Sequence, residues 1–155
     1  MFTVLSILIV LLFISLVYLN YKDKSVSYDF ESPEKVDLPY ISIDIQGHTF
    51  NMITDSAASV SIIKKEALDQ LVYEVSPRKI NLSAITNDSI AASVVTVPLS
   101  IKDRGVEVDF VVYDNTDIAD FECKYGIKLH GILGVEFFKK TKGIINFKEQ
   151  SVTLS

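Results

Sequence analysis

The residues best suited to chemistry are one aspartate and the small side chains behind it. Phe50-Asn-Met-Ile-Thr54 is an apolar, β-favouring run that leads into Asp55. Ser56, Ala57, Ala58 and Ser59 follow, and Val60-Ser-Ile-Ile63 then resumes the β-favouring pattern. A carboxylate at the tip of such a loop is held by rigid strands on both sides. The small residues let a second backbone or a ligand come close. The chemistry open to a carboxylate placed this way is proton transfer: ionised it takes a proton, protonated it gives one. The plain alternative is an exposed turn aspartate. A second stretch answers the first near the end of the chain, Gly131-Ile-Leu-Gly-Val-Glu-Phe-Phe138 followed by Gly143-Ile-Ile-Asn-Phe147.

Other chemistries have less to build on. Cys123 is the only cysteine, so it forms no intrachain disulfide, and it lacks the neighbours of a zinc site. His48 and His130 have no identifiable nucleophile partner and read as structural. No metal and no cofactor is expected. The net charge of −5 and the absence of interleaved basic and aromatic residues argue against a nucleic-acid partner.

At the two stretches the chain resembles the retropepsin-like aspartic proteases. That family carries Asp-Thr/Ser-Gly-Ala-Ser/Thr on a tight loop after an apolar strand, then a later Ile-Leu-Gly turn that opens a short helix. Here the matching residues are Asp55-Ser56-Ala57-Ala58-Ser59 and Ile132-Leu133-Gly134. The resemblance implies an all-β fold, a small closed β-barrel of the retropepsin-like acid protease type with one or two short helices. It implies an aspartic endopeptidase acting on a peptide or protein substrate, with Asp55 catalytic. Ser56 would hydrogen-bond across the site and hold it rigid, Ala58 would line the cleft, and Ser59 would sit near the substrate backbone. Ile132, Leu133 and Gly134 would pack behind the loop and shape the cleft wall. The turn Ile85-Thr86-Asn87-Asp88-Ser89 falls where the family has its flap. Each role has a simpler reading: serines that satisfy loop amides, core residues, an exposed hairpin. The family's glycine is Ala57 here, whose Cβ adds bulk and restricts the backbone if φ is positive.

Peptide hydrolysis by carboxylates needs a pair, one to take a proton from water and one to protonate the carbonyl oxygen. Carboxyls about 3 Å apart cannot both ionise and share one proton. This chain has one such loop. The economical arrangement is a homodimer with Asp55 of each chain meeting on a two-fold axis. Two classes stay open: a membrane-anchored dimeric endopeptidase, and a catalytically inactive, membrane-tethered module of the same fold that binds peptides.

The elements that would position these residues can be read in order. Residues 2–20 form an uncharged apolar run, expected as a single-pass transmembrane helix ahead of the domain. No charged n-region and no small-x-small cleavage site mark it as a signal peptide. Lys22 and Lys24 point weakly to a cytoplasmic flank and do not fix the side that carries the domain. Residues 21–36, with mixed charges, serines and Pro33, read as a linker, and residues 37–155 as the domain. Tyr40-Ile-Ser-Ile-Asp-Ile45 alternates as a half-buried strand does, Gln46-Gly47 is a turn, and the partner strand delivers Asp55. A short helix is expected near Ala67, Leu68 and Leu71. Pro98 suggests an edge or bulge in a long strand, and residues 106–113 read as a central strand. A helical turn or two after Val135 and a closing hairpin end the chain.

Overall fold

The alternating pattern of residues 40–45 becomes β2 (Tyr40–Ile45), whose Ile41, Ile43 and Ile45 are buried while Asp44 faces outward. This and the following description come from a computed structural model, which describes residues 2–22, 25–31, 39–83, 89–102, 104–113 and 122–155. A turn at Gln46-Gly47, with φ of 56° and 83°, returns the chain as β3 (His48–Thr54). Two successive positive φ values match the twist of a two-residue hairpin, and glycine is at ease in the second position.

The remaining strands are β1 (Val26–Asp29), β4 (Ser61–Lys64), β5 (Glu74–Ser83), β6 (Ser89–Ile101), β7 (Arg104–Tyr113), β8 (Gly131–Leu133), β9 (Ile144–Asn146) and β10 (Ser151–Leu154). The helices include α1 (Phe2–Lys22), α2 (Lys65–Leu68) and α3 (Val135–Lys140), and residues 122–125 form a further helical turn. Seven strands form one sheet in the order β2-β3-β8-β4-β7-β6-β5, and three form a second in the order β1-β10-β9. One core joins them: Phe50, Phe110 and Leu133 from the large sheet pack with Phe137 of α3 and with Val152 and Leu154 of β10. Full burial of each such side chain contributes about 1.5–3 kcal/mol.

The closed barrel expected from the resemblance is corrected here. Among the described residues both sheets are open, and β2 and β5 are the edges of the larger one. The gap is bridged by a side chain instead of a backbone ladder. Gln46 donates through Nε2 to the carbonyls of Val72 (2.9 Å) and Pro98 (3.1 Å) and accepts from the Val72 amide (2.8 Å). Pairing of β5 with β6 stops at Thr96, so among the described residues Pro98 sits where β6 has no strand neighbour on that side and its missing N–H leaves no broken bond.

Four residues of the stretch read as a linker, Val26–Asp29, form β1 and pair antiparallel with β10, from Val26↔Leu154 to Asp29↔Ser151. The apolar N-terminal run is helical throughout α1, with the side chains of residues 6–18 exposed. Among the described residues no helix is long and apolar enough to cross a membrane.

Candidate active site

Strand order places the site. β8 lies between β3 and β4, parallel to β3 (Thr54↔Leu133) and antiparallel to β4 (Ile62↔Ile132). The chain from β3 to β4 therefore has to arch over the end of β8, and residues 55–60 are that arch. Where the arch crosses Leu133-Gly134-Val135, three hydrogen bonds stitch the segments together. The Asp55 amide donates to the Leu133 carbonyl (3.0 Å), the Val135 amide to the Ala58 carbonyl (2.8 Å), and the Gly134 amide to the Ser61 hydroxyl (3.1 Å). The approach is close enough to require glycine. A Cβ on Gly134 would stand 2.5 Å from the Val60 carbonyl oxygen and 2.7 Å from that of Ala58. Gly131, one strand-length back, is hemmed in by the Ile62 carbonyl in the same way.

Asp55 is half-buried at the end of β3. Its Oδ1 accepts the Ala57 amide at 2.8 Å, and its carbonyl accepts the Ala58 amide at 3.3 Å. The loop thus orients the carboxylate with its own backbone. Behind it, Thr54 is buried and donates its hydroxyl to the Pro39 carbonyl (2.9 Å). Ser56, Ala57 and Ser59 are exposed, and Ala58 is partly covered. Ala57 is not among the residues with positive φ, so its Cβ imposes no backbone strain.

Ile132, Leu133 and Gly134 are brought against the Asp55 loop, with Leu133 and Gly134 buried and Ile132 partly so. Of the expected flap, residues 85–88 lie outside the described residues, and Ser89 opens β6. Ser56 also faces a groove of about 470 Å³ lined by Val135, Phe138, Ile145 and Phe147, with Lys142 among the polar residues of its lining.

Two residues that support the loop were not singled out as functional in the sequence. Ser61 is wholly buried and bonds Gly134; the available signal is a serine inside the β-favouring run after the loop. His130 accepts the Asn51 amide at Nδ1 (2.9 Å), while its own amide donates to the Asn51 carbonyl (2.9 Å). Its ring meets Phe50 edge-on at 5.2 Å. Burial, followed by the nearby Lys128 charge, holds its pKa below the usual histidine value. His130 extends the β3–β8 pairing by one side chain. Cys123 is exposed, and among the described residues no cluster of metal-ligating side chains occurs.

An aspartate on an arch clamped over a central strand, with a glycine turn beneath it, is the architecture of an acid-protease lobe. The family described as aspartyl protease matches residues 41–137, more than half of the chain, and the chain belongs to it. In fold the chain is similar to a retropepsin-like aspartic protease from Rickettsia conorii, with TM-score 0.50 and 13% identity over 84% of this chain and 89% of that one. It is also similar to the retroviral protease-like domain of Ddi1 from Leishmania major, with TM-score 0.50 and 14% identity over 78% of this chain and 90% of that one. No curated protein matches the chain. The fold is thus mostly β and retropepsin-like.

Proposed function

We propose that the protein is a membrane-anchored, homodimeric aspartic endopeptidase whose catalytic pair is Asp55 from each of two chains. The observation that carries this reading is the clamped loop: Asp55 is fixed by its amide to Leu133 and by Oδ1 to the Ala57 amide. One Asp55, ionised, takes a proton from water as the water attacks the peptide carbonyl. The other, protonated, donates to the carbonyl oxygen. The shared proton belongs to the pair, and so do its titrations. Ser56 is the residue next to the pair with an exposed hydroxyl available to bond across it.

Dimerisation is supported by the single loop and by an uncovered edge beside it. Among the described residues β9 has a partner only on its β10 side. It carries the exposed Ile144, and Phe147 follows it into the groove that Ser56 lines. Membrane attachment is supported by α1, uncharged from Phe2 to Tyr21, whose Ile7, Leu11 and Phe13 are all more than half exposed. Confinement to a surface would raise the effective concentration of the two halves. The substrate is a peptide or protein, and no nucleic-acid partner, metal or cofactor enters the mechanism.

The second reading, a peptide-binding module without catalysis, rests on Ala57 in the family's glycine position. The unstrained, exposed Ala57 backbone favours catalysis over it. The test is cleavage of a diverse peptide mixture by the full chain and by Asp55→Asn, between about pH 4 and 7, where a carboxylate pair can share a proton. Cuts made by the parent and absent from the variant support the protease. Peptide binding without cuts, equal in both proteins, supports the module.

A further inference from the structure

We infer that Ser61 is a positioning residue for the Asp55 loop, acting through Gly134. The inference rests on the protease reading for its kinetic consequence, while its structural half stands alone. Of the three bonds that join the arch to the turn below it, two run backbone to backbone and would form with many sequences. The third is the only one made by a side chain: the Ser61 hydroxyl accepts the Gly134 amide at 3.1 Å. Ser61 has 0% exposure, so water cannot take its place without rearrangement. Gly134 is also the N-cap of α3, and it has no cap from its own side chain. Ser61, reaching across from β4, accepts the amide of this N-cap residue and so fixes where the turn begins.

The consequence reaches Asp55 by short steps. Gly134 is packed against the carbonyls of Ala58 and Val60, within the arch itself. Its neighbours Leu133 and Val135 hold Asp55 and Ala58. A turn released at Gly134 therefore loosens both ends of the loop that carries the carboxylate. In a pair of such loops the spacing of the two carboxyls would widen. The mutual shift that splits their titrations weakens as they separate.

The experiment uses the full chain with Ser61→Ala, and Ser61→Cys as a variant of similar shape whose sulfur is a weak acceptor. Two readouts are taken. Amide hydrogen exchange without substrate is expected to be at least about ten-fold faster at Gly134 in both variants, with Val111 and Phe110 in β7 unchanged. In peptide cleavage, kcat is expected to fall about ten- to a hundred-fold while KM stays within about two-fold. The bell-shaped pH profile is expected to narrow from both sides as the two titrations draw together. A residue that served stability alone would lower the melting temperature and leave the width of that profile untouched. Unchanged exchange at Gly134, or an unchanged profile and kcat in a folded variant, overturns the inference. If Ser61→Ala does not fold, Ser61→Cys decides it by the same readouts. If the parent shows no Asp55-dependent cleavage, the protease reading fails, and exchange at Gly134 still reports whether Ser61 holds the turn.

Discussion

Replacing Gly134 by alanine isolates the packing of the turn against the Asp55 loop. The backbone there has φ −92°, open to any residue, so the cost of a methyl group is steric alone. The added Cβ would stand 2.5 Å from the Val60 oxygen, 2.7 Å from the Ala58 oxygen and 2.7 Å from the Val60 carbonyl carbon. All three are backbone atoms, and none can swing aside as a side chain would. Carbon contacts are comfortable near 3.5 Å, so the arch has to retreat by roughly 0.7–1 Å. Overpacking of this kind costs about 1–3 kcal/mol, and stretching one of the stitching hydrogen bonds adds about 0.5–1.5 kcal/mol. The expected loss is about 2–4 kcal/mol. At about 2–4 °C per kcal/mol for a chain of this length, the melting temperature falls by roughly 5–15 °C. A catalytic carboxylate displaced by about 1 Å loses roughly a hundred-fold in rate. Thermal unfolding followed by circular dichroism and Asp55-dependent cleavage measure the two effects. Gly105→Ala is the control, because nothing lies within 4 Å of its added Cβ; it should change stability by no more than about 0.5 kcal/mol. Equal melting temperatures and equal rates for the two variants would refute the packing argument.

Gln46→Ala removes the three bonds that span the open edge and should cost about 1–2 kcal/mol, with faster hydrogen exchange at the Val72 amide as its local mark. His130 gives an acid-side loss of stability. Its folded pKa lies below the ordinary 6.5, so the unfolded chain takes the proton first. Stability should therefore fall as pH drops below about 6.5 and level off beneath the folded value. Lys128 and Lys64 oppose that proton and Glu122 favours it. His130→Gln, which cannot titrate, should flatten that part of a pH–stability curve measured by urea unfolding. Lys64→Met breaks the 2.9 Å pair with Glu122, which also accepts the Leu129 amide. With both side chains about a fifth exposed or less, the loss should be about 1–2 kcal/mol by the same urea titration, discounted for solvent screening.

Much of the domain is legible where local pattern and tertiary demand agree. The isoleucines of β2 alternate because one face is buried, and Gln46-Gly47 turns because both positions take positive φ. Residues 106–113 read as central because the strand is covered on both sides, by β4 and β6. The loop from Asp55 to Ser59 and the Gly131–Gly134 stretch stand out as small residues between apolar runs, and the structure brings them together. Other features depend on contacts distant in sequence. β1 has no pattern of its own, with one face merely half-buried, and it is a strand because β10 supplies the other half of its ladder. The open edge bridged by Gln46 is a relation between residues 26 and 52 positions apart. Ser61 looks like any polar residue in a half-buried strand until Gly134 is placed above it.

The central claim is that two chains each contribute one Asp55 to a single site. It is tested most directly by mixing the full chain with its Asp55→Asn variant at constant total concentration, letting subunits exchange, and measuring peptide cleavage. If each site needs both carboxylates, activity follows the square of the wild-type fraction, and an equal mixture retains about one quarter of the starting rate. An equal mixture that retains about one half would mean that each chain acts alone, and the shared-pair account would be wrong.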